Sequence, residues 1–141
     1  MSLDIESLAI DPVKAEKGTW VSYSGAKFLV ARSNNDKAQT LQNELAMANL
    51  EILQAGTEAS DAKSDEIQLK VLTQHVLLDW SDMTAAGKEL KYTPKIGEKY
   101  LADPRFKDLK QFIQNVSMNR ENYKEKTEAQ VAEIVKPTAV S

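Results

Sequence analysis

The stretch GTWVSYSGAKFLVARSNN, residues 18–35, decides how this chain folds at its start. Two β-prone runs, Trp20 to Tyr23 and Lys27 to Ala31, flank the dipeptide Ser24-Gly25. Glycine accepts positive φ without the steric penalty that a Cβ brings, so the dipeptide suits a tight reversal and the two runs are expected to form a β-hairpin. The second run ends in Ser33-Asn34-Asn35. Asparagine is a good helix N-cap, because its side-chain oxygen accepts the backbone N–H groups that no earlier carbonyl reaches. A helix is therefore expected from Asp36.

That helix should extend over residues 36–54, where Ala38, Leu41, Leu45, Ala48 and Ile52 recur at three- and four-residue spacing and make a core stripe. Gly56 ends it. Met47, Leu50 and Leu53 widen the apolar face beyond this stripe, which makes them either further core or a contact surface for a partner. The segment TEASDAKS, residues 57–64, is small and polar and reads as a loop. A second helix is expected over 65–80, opened by Asp65 and Glu66 at the positive end of the helix dipole. Ile67, Leu69, Val71, Leu72, Val76, Leu77 and Leu78 make it apolar on most of its circumference, so it belongs in the middle of the domain.

After Trp80 the chain turns through SDMTAAG, and residues 88–92 are briefly extended. Thr93-Pro94 reads as an N-cap followed by a proline at the first helical position, where its missing N–H costs nothing; a short helix to Leu101 follows. Asp103-Pro104 repeats the signal. The helix it opens carries Phe106, Leu109, Ile113 and Val116 on one face, with Phe112 beside them. Residues 1–17, with Pro12 read as a helix breaker, are expected to be a flexible arm, and residues 124–141, with Pro137 and a small polar end, a flexible tail. The fold class is thus α+β, mostly α-helical: an N-terminal β-hairpin followed by about four helices in a single compact domain over residues 18–123. A chain of 141 residues with 42% hydrophobic and 28% charged residues supports one such core.

Composition narrows the function. A net charge of -3 and a pI near 5.3 leave no electrostatic footprint for nucleic acid. The absence of cysteine excludes disulfides and thiolate metal sites. The start MSLDIESLAIDP lacks the basic and apolar run of a secretory signal, and no window approaches the ~18 apolar residues of a membrane span. A cytoplasmic protein with no membrane partner is expected.

The candidate chemistry is thin. His75, the lone histidine, has Asp79 four residues on, and Ser81, Thr84 and Ser117 are nominal nucleophiles, but no G-x-S-x-G elbow or glycine-rich oxyanion loop accompanies them. One histidine and no cysteine make a zinc site improbable on composition, and Asp79 with Asp82 lacks the spaced ligands of a calcium loop. No GxxxxGK[ST] or GxGxxG cradles a phosphate. The lysines at 88, 91, 95 and 99 are interleaved with acids and read as solvated surface. Trp80, Tyr92, Tyr100, Phe106 and Phe112 cluster where several elements must meet, so HVLLDWSDMTAAGKELKYTP, residues 75–94, reads as a structural junction. No catalytic residue, cofactor or metal is expected.

The order WVSYSGAKFLVARSNN, a long helix, LLDWSDMTAAGKELKYTP and LADPRFKDLKQFIQNVSMNRENY resembles the tail assembly chaperones of long-tailed bacteriophages. Those proteins show a W-V-x-Y-x-G-x-x-F-x-V-A-R hairpin, a V-L-x-x-W-x-x-(M/L)-T segment, a G-K-x-x-x-Y-(T/S)-P turn and a D-P-x-F-x-D-L helix. The likeness spans residues 18–123. It implies a non-enzymatic role in the host cytoplasm: binding tail tube subunits and the tape measure protein during assembly, and absence from the finished virion. It also implies that a frameshifted longer product is made in many such phages. No functional residue carries over by position.

Two partner surfaces follow from the residues. One is the helix face at Met47, Leu50 and Leu53; the other is the hairpin edge around residues 28–31, with Phe28 and Val30, offered for strand addition. No heptad seam persists, so self-association as a homo-oligomer stays open. The alternatives are a small structural virion protein such as a head-tail connector component, a hydrolase using His75, and a cellular adaptor.

Overall fold

Ser24 and Gly25 both take positive φ, 51° and 89°, in the computed structural model, which describes residues 2–125. Positive φ at both central residues gives the reversal whose twist matches that of paired strands. The expected hairpin forms there. Strand β1 (Thr19–Tyr23) pairs antiparallel with β2 (Ala26–Val30), with Thr19 opposite Val30 and Tyr23 opposite Ala26. Alternation buries Ala26, Phe28 and Val30 and leaves Trp20, Ser22 and Lys27 exposed on the other face.

The cap at Asn35 also forms, and it does more than start a helix. Its Oδ1 accepts the Ala38 N–H at 3.0 Å, opening α2 (Asp36–Ala48), while its Nδ2 donates to the carbonyls of Arg32 and His75 at 2.7 and 2.9 Å. Helix α2 does not run unbroken to residue 54. Asn49 interrupts it, with Nδ2 donating to the Leu45 carbonyl at 2.8 Å, and a short α3 (Leu50–Gln54) follows. Side-chain amides that bond nearby backbone compete with the helical ladder in this way.

Residues 57–64 are helical rather than a loop. Thr57 and Ser60 form a reciprocal capping box that opens α4 (Glu58–Val71), and Ser60 Oγ reaches back to the Ile52 carbonyl, clamping α3 to α4. The second correction lies at the other end of α4. The helix loosens into a wide π-type turn at Leu72–Val76, and the chain then runs as a strand, β3 (Leu77–Ser81), antiparallel to β2. The three-residue spacing of Leu77 and Trp80 imitates a helix, yet both are buried from a strand. A bulge reconciles the two: Leu77 faces Val30, Asp79 faces Leu29 and Trp80 faces Phe28, with Leu78 left over. The Ala31 N–H continues the ladder to the Val76 carbonyl at 2.7 Å. The buried strand β2 must pair its backbone on both sides, and supplying its second partner overrides the helical preference of residues 77–81.

The sheet order is β1-β2-β3, so β2 is central. Two residue pairs, β4 (Thr84–Ala85) and β5 (Lys88–Glu89), make a small separate hairpin. The proline-started helices are found where expected: α5 (Pro94–Leu101) capped by Thr93, then α6 (Lys107–Met118) entered through a 3-10 turn behind Asp103-Pro104. The fold is α+β and mostly helical, with its N-terminal hairpin.

Pro12 opens a helix rather than breaking one. It sits at the first position of α1 (Pro12–Lys17), and Asp11 Oδ1 accepts the N–H groups of Val13 and Lys14. The Arg32 N–H donates to the Ala15 carbonyl, and the Asp11 N–H to Tyr123, so this segment is tied to both ends of the domain. The expected tail reaches the described residues only at Lys124, which bridges to Ile10, and Glu125; residues 126–141 lie outside them.

Candidate partner-binding surface

The break at Asn49 turns the apolar surplus of the first helix outward. Met47 and Leu50, on either side of it, are 71% and 43% exposed. Leu53 is half-buried and packs with Leu45 against the core, so it supports the pair from behind. Glu44, Glu51 and Glu58 have no lysine or arginine partner among the described residues, whereas Lys63 and Lys70 both lie on Glu66, at 2.9 and 3.4 Å. Hydrogen bonds from Lys63 and then Lys70 hold the Glu66 carboxyl below its usual range.

Phe28 and Val30 do not belong to a partner surface. They are 1% and 0% exposed, and β2 is paired on both sides, so no added strand can reach the edge that the hairpin alone would offer. The open edges of the sheet are those of β1 and β3. Trp20, which the sequence reading passed over, stands on the β1 edge and is 49% exposed. Alternation in TWVSY sets Trp20 on the face opposite Val21 and Tyr23, so its exposure was legible in the sequence while its place at a sheet edge was not.

His75 lies half-buried in the π-type turn, beside a depression of about 280 Å³ with Asp36, Thr40 and Glu44. The switch to strand at Leu77 removes the helical spacing that would have set Asp79 beside it. Asp79 Oδ1 instead accepts the N–H of Trp80 at 2.8 Å.

The junction at residues 75–94 forms a groove of about 720 Å³ between β3 and the β4–β5 hairpin, lined by Trp80, Met83, Leu90 and Tyr92 among others. Trp80 Nε1 donates to the Leu90 carbonyl at 2.7 Å, and the Tyr92 hydroxyl donates to the Thr73 carbonyl. The two rings meet edge to face at 4.8 Å. Burial, followed by the carboxylates of Asp79 and Glu98, pushes the Tyr92 phenol well above its ordinary value. The polar atoms of this aromatic pair are spent on holding the chain together.

Among the described residues no group of three or more His, Asp or Glu side chains is placed to hold a metal, and no helix is long and apolar enough to cross a membrane. These features define a small α+β domain, mostly helical, whose exposed apolar side chains include Met47 and Leu50 at a helix break and Trp20 at a sheet edge. Its lineage is phage: the model of the YdaY prophage protein family matches residues 30–133, and the chain belongs to that family. The matched region begins at the last residue of β2 and, among the described residues, takes in β3 and every helix from α2 onward. No curated protein and no solved structure matches the chain.

Proposed function

We propose that this phage-derived protein is a non-enzymatic tail assembly chaperone that acts in the host cytoplasm on tail tube subunits and the tape measure protein. The observation that carries the reading is the pair Met47 and Leu50, exposed on a helix break that is clamped from behind by the Ser60–Ile52 bond. An apolar surface held on a rigid support fits a partner with apolar surface of its own to hide before it polymerises. The ordered motifs of the hairpin, the residue 75–94 junction and the D-P-x-F-x-D-L helix support the same reading through their likeness to tail chaperones.

Charge substitution tests it. The double variant Met47→Glu/Leu50→Glu is expected to keep its helical circular dichroism and melting temperature, since both side chains face water, and to lose capture of the tube protein of its own phage in a pull-down. Retained capture by the folded variant would remove this surface from the proposal. Mass spectrometry of purified particles separates a chaperone, which is missing from them, from a structural virion component.

A further inference from the structure

The two edges of the sheet are finished differently. On β3, a bulge displaces Leu78, and the outward N–H of Trp80 is capped by Asp79 Oδ1 at 2.8 Å. Both devices blunt a strand edge against pairing. On β1 there is neither bulge, proline nor charge, only Thr-Trp-Val-Ser-Tyr.

The register states which groups β1 leaves open. A two-residue turn makes Tyr23 and Ala26 a hydrogen-bonded pair, so Val21–Phe28 and Thr19–Val30 are bonded pairs as well. The N–H and C=O of Trp20 and Ser22 therefore point away from β2. The same parity sends the Arg32 N–H to the β1 side, onto Ala15, and the Ala31 N–H to the β3 side, onto Val76. Among the described residues nothing bonds the outward groups of Trp20 or Ser22.

We infer that this edge pairs with the β1 edge of a second copy of the chain, antiparallel about a two-fold axis at Val21. Only that register brings every open group to a partner. With Val21 opposite its symmetry mate, Trp20 meets Ser22 of the second copy and Ser22 meets its Trp20, which closes four backbone hydrogen bonds. An axis at Trp20 would set indole against indole and run Ser22 onto Gly18; an axis at Ser22 would run Trp20 into the Ser24 turn. The Val21 axis also places each large ring beside a small hydroxymethyl. No like charges meet across the edge, because the strand carries none. The product is a six-stranded sheet through two copies, an isologous contact that closes on itself.

The chain has no cysteine, so an introduced thiol is unique in each copy. Residues on the axis form a non-hydrogen-bonded pair with Cα atoms about 4.5 Å apart, within disulfide reach. Val21→Cys is expected to form a covalent dimer under mild oxidation, while Trp20→Cys and Ser22→Cys, whose like residues are offset along the strand, stay largely uncoupled. Sedimentation of the unmodified chain should show its mass doubling as concentration rises. Ser22→Pro removes an outward N–H and no bond of the β1–β2 ladder, and so should abolish that doubling with the melting temperature held close to that of the parent. Should Ser22→Pro fail to fold, the cysteine series decides alone. A monomer at every concentration, equal cross-linking at positions 20, 21 and 22, or a dimer that survives in folded Ser22→Pro each overturns the inference.

Discussion

The Tyr123 hydroxyl donates to the Val30 carbonyl at 2.9 Å, joining the end of the described chain to the central strand across 93 residues. Both residues are 0% exposed. A buried carbonyl that loses a partner keeps the desolvation cost without the compensating bond. Tyr123→Phe should therefore lower stability by about 1–2 kcal/mol, and Tyr123→Ala, which also opens a ring-sized cavity, by about 3–5 kcal/mol. Urea denaturation measures both, and an unchanged midpoint for Tyr123→Phe would show the bond to be dispensable.

Alkaline pH provides a second measurement. Burial raises the phenol of Tyr123 well above its ordinary value, and burial with nearby carboxylates does the same at Tyr92. An unfolded tyrosine releases its proton near pH 10, while these two retain theirs in the fold. Between the two values the unfolded state binds fewer protons, so its free energy falls relative to the native state. The stabilisation is complete below about pH 10 and is lost as pH rises beyond it, at about 1.4 kcal/mol per pH unit for each tyrosine. The urea midpoint should fall more steeply above pH 10 in the parent than in a Tyr92→Phe/Tyr123→Phe variant; parallel curves would contradict this.

Gly97 yields a prediction of unusual sign. In an exposed helix interior, Gly→Ala gains about 1 kcal/mol. In α5, a Cβ at Gly97 would lie 2.8 Å from both Cε1 and the hydroxyl oxygen of Tyr92. That ring cannot swing away, because its hydroxyl is bonded to Thr73 and its edge packs on Trp80. Gly97→Ala is expected to lose about 1–3 kcal/mol, the range of an overpacked core, and to lower the melting temperature. A raised melting temperature would show that the ring is free to move.

The partner surface was half legible. The surplus width of the first helix marked Met47, Leu50 and Leu53 as a set, but which of them faces water depends on the Asn49 break and on where α4 lies. Phe28 and Val30 looked like an edge because a hairpin has two, and the strand that covers one of them comes from residues 77–81. Residues 57–64 misled by composition: small polar residues suit a loop equally well as the first turns of a helix with a capping box.

What residue order settled unaided is short-ranged: the reversal at Ser24-Gly25, the caps at Asn35, Thr93 and Asp103, and the proline starts behind the last two. Each of these depends on groups within about four positions, whose geometry the local side chains dictate. Tertiary structure alone decided that Leu77–Ser81 is a strand, that Phe28 and Val30 are interior, and that Trp20 stands on an open edge. Those outcomes turn on backbone groups some fifty residues apart in the chain, and an N–H that must find a carbonyl at that separation leaves no mark on its neighbours.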